Sequence, residues 1–199
     1  MLRFKVEMFL SDFISHNGQT ADPLNPFTKA MKQISGKRKK TDADFAQLAD
    51  IEYRAGLYVE QGRVVIPSRV LEASIAEAAR KSKEGKLALS GLFVDSDAVL
   101  DVYDGGPLTI DELVKSEVHR LCVGVRVGQS RVMRTRPHFK NVECSFECSI
   151  NPEVANDRQL KGWLENMVTM VGVGDWRPRH GRGEIHAIEQ ITVPLRAAA

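Results

Sequence analysis

The sequence predicts an α+β domain in which an antiparallel sheet is backed by helices. Two kinds of periodicity and the overall composition carry that expectation. Leu2, Phe4, Val6 and Met8 alternate with Arg3, Lys5 and Glu7, and Val142, Cys144, Phe146, Cys148 and Ile150 alternate with Glu143, Ser145, Glu147 and Ser149. Period two places one set of side chains on a core face and the other in water, as in half-buried strands. Leu71, Ile75 and Ala78/Ala79, and again Leu160, Trp163, Leu164, Met167 and Val168, recur instead at helical spacing. With 43% hydrophobic and 27% charged residues over 199 positions, the composition is that of a folded chain with a sizeable core, and one domain spanning 1–199 is expected.

The elements follow in order. After the N-terminal strand, residues 11–40 are rich in Gly, Pro, Asn and Lys and read as a long basic loop with at most one short helix over 26–34. Thr41 with Asp44 marks a helix start, and Phe45, Leu48 and Ile51 continue as its apolar stripe. Residues 57–59 and 64–66 flank Gln61-Gly62 as a hairpin that Pro67 ends. Ser68 is the expected cap of the helix carrying Leu71 and Ile75, which Lys81, Lys83 and Gly85 close. Short strands are expected at 87–94 and 99–103, before the break at Gly105-Gly106-Pro107. Thr109 with Glu112 forms a capping box for a short helix, and 118–127 is a strand. Asp157 starts the helix carrying Trp163, and a glycine-rich loop over 172–183 leads to a last strand over 185–193. That closing unit, joined to the N-terminal strand, predicts a ferredoxin-like or RRM-like core with long loops.

Net charge is only +2, yet the signs are segregated. Lys29, Lys32, Lys37, Arg38, Lys39 and Lys40 form one acid-free run, and Arg126, Arg131, Arg134, Arg136 and Lys140 form another. Acids gather at 42–52, 95–104 and 111–117, so a dipolar surface with a basic side is expected. No apolar run reaches the roughly 18 residues of a membrane span. The opening MLRFKVEMFL lacks the unbroken apolar stretch of a secretory signal, so a cytoplasmic protein with no membrane partner is expected. Cys122, Cys144 and Cys148 have no second close-spaced pair to complete a zinc site and read as reduced core thiols.

Two motifs carry the functional expectation. In VRVGQSRVMRTRPHF over 125–139, a strand would space Arg131, Arg134 and Arg136 for bidentate contacts to successive phosphates, with His138 or Phe139 as a flat face for a base. The bland alternative is a solvated loop whose arginines pair with the acids of 95–117. In the loop over 172–183, Gly172, Gly174, Gly181 and Gly183 permit close backbone approach to a ligand, and Trp176, Arg177, Arg179, His180 and Arg182 stand between them. No Gly-Lys-Ser/Thr follows, so the loop is not a Walker A motif, and it lacks the dinucleotide fingerprint. Its bland alternative is a tight helix-to-strand turn with Trp176 in the core. His16, His119, His138, His180 and His186 form no metal-binding pair and meet no nucleophile at a recognisable spacing, so they read as surface or binding histidines. Asp95, Asp97, Asp101 and Asp104 lack the glycine and closing glutamate of an EF-hand and read as a solvated hairpin, so neither metal nor cofactor is expected.

The run R-V-M-R-T-R-P-x-F from Arg131 to Phe139, followed by a strand, a helix and G-V-G-D-W-R-P-R-H-G-R-G, resembles uncharacterised bacteriophage and prophage proteins of similar size. The architecture more loosely resembles the RAMP superfamily of CRISPR-associated RNA-binding proteins, including its Cas7-like backbone type. That resemblance implies an RRM-like sheet, a single-stranded RNA or DNA partner, and side-by-side assembly along the strand with copies of itself or with other phage or CRISPR-type proteins. Where the family's glycine loop places an aromatic after Gly-Arg, this chain has Gly183.

The expected function is therefore non-catalytic binding of single-stranded nucleic acid in a bacterial host cytoplasm. Arg131, Arg134, Arg136, Arg177, Arg179 and Arg182 would meet phosphates, Trp176 or Phe139 would stack on bases, His138 and His180 would lie beside them, and Lys37, Arg38, Lys39 and Lys40 would close over the strand. The alternatives are a self-assembling structural phage protein whose arginines make protein contacts, and a metal-independent ribonuclease using His138 or His180 as general base.

Overall fold

A computed structural model of the chain describes residues 1–16 and 18–191, and for Val127 the backbone alone. The chain is of mixed α+β class, with strands β1 (Leu2–Ile14), β2 (Val59–Glu60), β3 (Arg63–Ile66), β4 (Leu92–Val94), β5 (Ala98–Val102), β6 (Arg120–Val127), β7 (Ser130–Ile150) and β8 (Gly183–Ile191). Its helices are α1 (Pro26–Ser35), α2 (Asp42–Gly56), α3 (Ser68–Lys81), α4 (Gly85–Gly91), α5 (Ile110–Lys115) and α6 (Asp157–Asn166). These elements form two compact units. The first takes Met1–Phe13, Val65–Pro107 and the described part of Lys140–Ala199; the second takes Ile14–Val64 and Leu108–Phe139.

The first unit is built on a sheet of order β3-β5-β7-β1-β8, with β4 pairing β7 beside β5. The pairs β1–β8, β3–β5, β4–β7 and β5–β7 are antiparallel. Taken in chain order, β1, α3, β5, β7, α6 and β8 trace a strand-helix-strand-strand-helix-strand path through this unit. The alternation is realised as written: Phe4, Val6, Met8 and Leu10 on β1, and Cys144, Phe146, Cys148 and Ile150 on β7, are buried. Leu71 and Ile75 of α3 and Leu160, Trp163 and Leu164 of α6 close over them. Burial pushes the Cys144 thiol far up and the Cys148 thiol up to about 12, as expected of inert core thiols.

Several local expectations change. Ser68 is the first residue of α3, not its cap: the cap position is Pro67, and the Ser68 N–H is satisfied by the Asp97 carboxylate at 2.7 Å. The acids of 95–104 are likewise put to structural use, since Asp95 accepts from Ser149 Oγ and Asp104 accepts from Asn141 Nδ2. Residues 85–91 form α4, leaving only Leu92–Val94 as strand. After α6 the chain continues as a π-helical turn over Met167–Val171. The expected last strand is β8, and its predicted end at Val193 lies outside the described residues.

In the second unit, most of the stretch expected as loop over 11–40 has regular structure: β1 runs to Ile14, a 3-10 turn covers Gly18–Ala21, and α1 follows with Asn25 as its cap. The capping boxes at Thr41/Asp44 and Thr109/Glu112 are both present, each reciprocal through side chain and backbone. Lys37 Nζ and the Thr41 N–H donate to Asp44 and hold its carboxyl down at about 2. Gln61 and Gly62 take φ of 49° and 79°, the left-handed turn that joins β2 to β3. β6 and β7 pair as a two-stranded antiparallel ribbon from Arg120↔Pro137 to Val127↔Ser130. Gly56, ending α2, abuts the base of this ribbon: a Cβ there would meet Pro137 Cδ at 2.5 Å.

Candidate functional site

A groove of about 1040 Å3 opens in the second unit between α1, α2 and the β6–β7 ribbon. Its apolar lining is Met31, Phe45, Leu48, Val132 and Met133, and its basic lining is Lys32, Lys40, Arg131, Arg134 and Arg136. Glu52 is the one acid among the lining residues. The carboxylate of Glu52, buried on α2, accepts from Arg134 Nη1 at 2.5 Å and from the Thr135 N–H at 2.8 Å. It therefore pins the ribbon to the helix and consumes one of the three arginines. Arg120, at the ribbon's base, donates to Asp50 and to the Val114 carbonyl and lies 4.4 Å over the Tyr53 ring.

What remains on the rim is specific. Phe45 is 58% exposed, Met133 62% and Val132 37%. Lys32 and Arg131 are exposed, and among the described residues neither side chain makes an ion pair or hydrogen bond. Lys40 Nζ donates to the Lys37 carbonyl at 3.1 Å. The surface thus combines flat and flexible apolar faces with cations. That combination is chemically suited to an anionic ligand carrying an apolar or aromatic body.

The sequence-predicted residues divide accordingly. Arg131, Arg134, Arg136 and Lys40 come together in the groove. Arg134 is engaged by Glu52, and Arg136 is 7% exposed with Nη1 on the Thr135 carbonyl, so neither is a free phosphate contact. The partner of Arg134 is thus Glu52 of α2 and not an acid of 95–117. Lys37 is paired with Asp44, whereas Arg38 and Lys39 are exposed. Phe139 is not an open stacking face: it is fully buried, with its ring 5.3 Å from that of His119, itself buried rather than at the surface. His138 is half-buried. Cys122, expected in the core, is exposed on the ribbon and lines the groove.

The second motif belongs to the first unit. The loop over 172–183 is closed by the Val173 N–H on the Gly181 carbonyl at 2.8 Å. Gly181 has φ of 76°, and a Cβ there would meet the Val173 oxygen at 1.9 Å, so only glycine fits. Asp12 of β1 accepts from the Gly181 N–H at 3.1 Å and from His180 Nδ1, clamping the loop to the sheet. Arg177 is held by Ser74 Oγ and Glu77, and Arg182 Nε donates to the Thr169 carbonyl. Trp176 is half-buried with φ of 54°, and Arg179 is exposed. The glycines serve loop closure first, and two of the three arginines are tied to the protein itself.

Sequence reasoning missed Phe45, Met133 and Lys32. Phe45 fits an apolar stripe with Leu48, which reads as a core face, and only the groove shows that this stripe stays open. No protein-family model matches the chain, and no curated protein matches it. Among the described residues no helix is long and apolar enough to cross a membrane.

Proposed function

We propose that this chain is a non-catalytic module that binds single-stranded RNA or DNA through the groove of its second unit. One observation carries the reading: exposed Phe45 and Met133 share a groove with Lys32, Lys40 and Arg131, in a unit whose segments hold 14 Lys/Arg against 9 Asp/Glu. Unstacked bases offer apolar π-faces to the first pair, and successive phosphates meet the cations. A duplex hides its base faces and gains only the phosphate contacts, so single strands are preferred. The proposal includes a phage-encoded protein acting in a bacterial host cytoplasm and assembling side by side along the strand.

The test is fluorescence anisotropy with labelled single-stranded RNA, single-stranded DNA and duplex DNA. Single-strand binding is expected to weaken at least about ten-fold in a Lys32→Ala/Lys40→Ala/Arg131→Ala variant, and by about 1–3 kcal/mol in Phe45→Ala, the range for losing one base–aromatic stack. Binding to none of the three probes at low salt, or equal binding by the variants, rejects the reading.

Self-assembly without nucleic acid is the second reading. The observation that favours it is the opposite charge of the units, since the first unit's segments carry 14 Lys/Arg against 17 Asp/Glu. Concentration-dependent oligomers that dissolve in salt and form with no nucleic acid present would support it.

A further inference from the structure

We propose that the notch between the end of α3 and α4 docks an acidic peptide segment of a partner protein, anchored by an apolar side chain. Arg80, Lys83, Gly85, Lys86, Leu87 and Leu89 line a shallow recess of about 560 Å3. With Lys81, the turn over 80–86 carries four cations. Its one acid, Glu84, faces the protein: the carboxylate accepts from Gln159 Nε2 at 2.8 Å, Trp163 Nε1 at 2.7 Å and Ser82 Oγ at 2.9 Å. The turn is thus fastened to α6 by the very group that would otherwise neutralise its cations. It forms a basic patch in a unit whose segments sum to −3, a local reversal of the surrounding field.

The apolar half of the recess follows from packing. Gly85, Ala88 and Gly91 are the buried residues of α4. A Cβ on Gly91 would meet Val154 Cγ1 at 2.7 Å, and one on Gly85 would meet Arg80 Cγ at 2.5 Å. A helix pressed inward on its small residues turns its large ones outward. Leu89 is accordingly 65% exposed and Leu87 38%. Leucines set among lysines complement a segment of opposite pattern, an apolar side chain flanked by carboxylates. The lining has no aromatic face on which a base could stack, which disfavours nucleic acid. The leucines line a recess rather than a projecting ridge, which disfavours a lipid surface.

The experiment titrates the full chain against a fluorescein-labelled peptide of Asp, Glu and Leu, the same peptide with Ser for Leu, labelled single-stranded RNA, and vesicles of anionic phospholipid. The Leu peptide is expected to bind, with the Ser peptide weaker by about ten-fold or more. Lys83→Glu/Lys86→Glu and, separately, Leu89→Ser are each expected to weaken the Leu peptide by about ten-fold, a typical loss for central charged and apolar contacts. The groove variant Lys32→Ala/Lys40→Ala/Arg131→Ala leaves that affinity unchanged, which separates this site from the proposed nucleic-acid groove. Lys83, Lys86 and Leu89 are exposed, and unchanged tryptophan fluorescence confirms the fold. Equal affinity for the Leu and Ser peptides, no loss in either variant, or loss of RNA or vesicle binding in place of peptide binding overturns the proposal.

Discussion

Glu84 shows how one side chain can hold a turn together. Its carboxylate accepts three hydrogen bonds, and those from Gln159, Trp163 and Ser82 hold its carboxyl below the usual glutamate range. Trp163 is buried, so Glu84→Ala strands an indole N–H away from water. The expected cost is about 1–3 kcal/mol, seen as a lower denaturation midpoint by tryptophan fluorescence. The pH sign follows from the same bonds: a carboxyl depressed on folding contributes stability above its unfolded value near 4.3 and loses it as pH falls through the folded one. The wild type should therefore destabilise between neutral pH and pH 3 more than Glu84→Gln, whose amide does not titrate. The residue scale is also where the sequence misleads most. Phe139 and Phe45 exchange the roles expected of them, because a strand or helix period fixes which residues share a face but not which face is covered. Phe139 is roofed by His119; Phe45 points into a groove bounded by residues far along the chain.

At the scale of elements, the β6–β7 ribbon is the piece least able to stand alone, since two strands without a covering layer are marginal in water. Glu52 supplies the fastening through Arg134 and the Thr135 N–H. Glu52→Ala is expected to cost about 1–3 kcal/mol and to accelerate amide exchange at Thr135, with a matching loss of affinity at the groove. Glu52→Gln keeps an acceptor for the Thr135 N–H and should recover part of the protection. Slow exchange at Thr135 in both variants would show that the ribbon is held elsewhere. Elements specified by contacts three or four residues apart were legible: both Thr-initiated helices carry the capping boxes their sequences announce, and Asp157 opens α6. Helix α4 was not, because a short apolar run such as 87–89 fits strand and helix alike until Gly85, Ala88 and Gly91 find the surfaces they pack against.

At the scale of the whole chain, the division into two units is hard to read from composition, because three of its four boundaries fall inside strands and only one follows a sequence break, Gly105-Gly106-Pro107. One lies at the end of β1 and another inside β7, between Phe139 and Lys140, where a single strand runs on unbroken. The α+β class came through because alternation and amphipathic stripes survive such insertions. Charge behaves the other way. A net +2 for the chain conceals 14 basic against 9 acidic residues in one unit and 14 against 17 in the other, so the total says little about partners. The consequence for binding is quantitative. Each phosphate neutralised on a single strand contributes about −0.7 to the slope of log K against log salt. With Arg134 spent on Glu52 and Arg136 buried, Lys32, Lys40 and Arg131 are left at the groove. Three contacts give a slope of about −2, a roughly twenty-fold loss of affinity between 50 and 200 mM salt. Six contacts, one for each arginine expected from the sequence to meet a phosphate, would give a slope of about −4. A measured slope near −2 that flattens toward zero in the Lys32→Ala/Lys40→Ala/Arg131→Ala variant assigns the phosphates to this groove. A slope near −4 that survives the variant assigns them to other cations and removes the groove from the account.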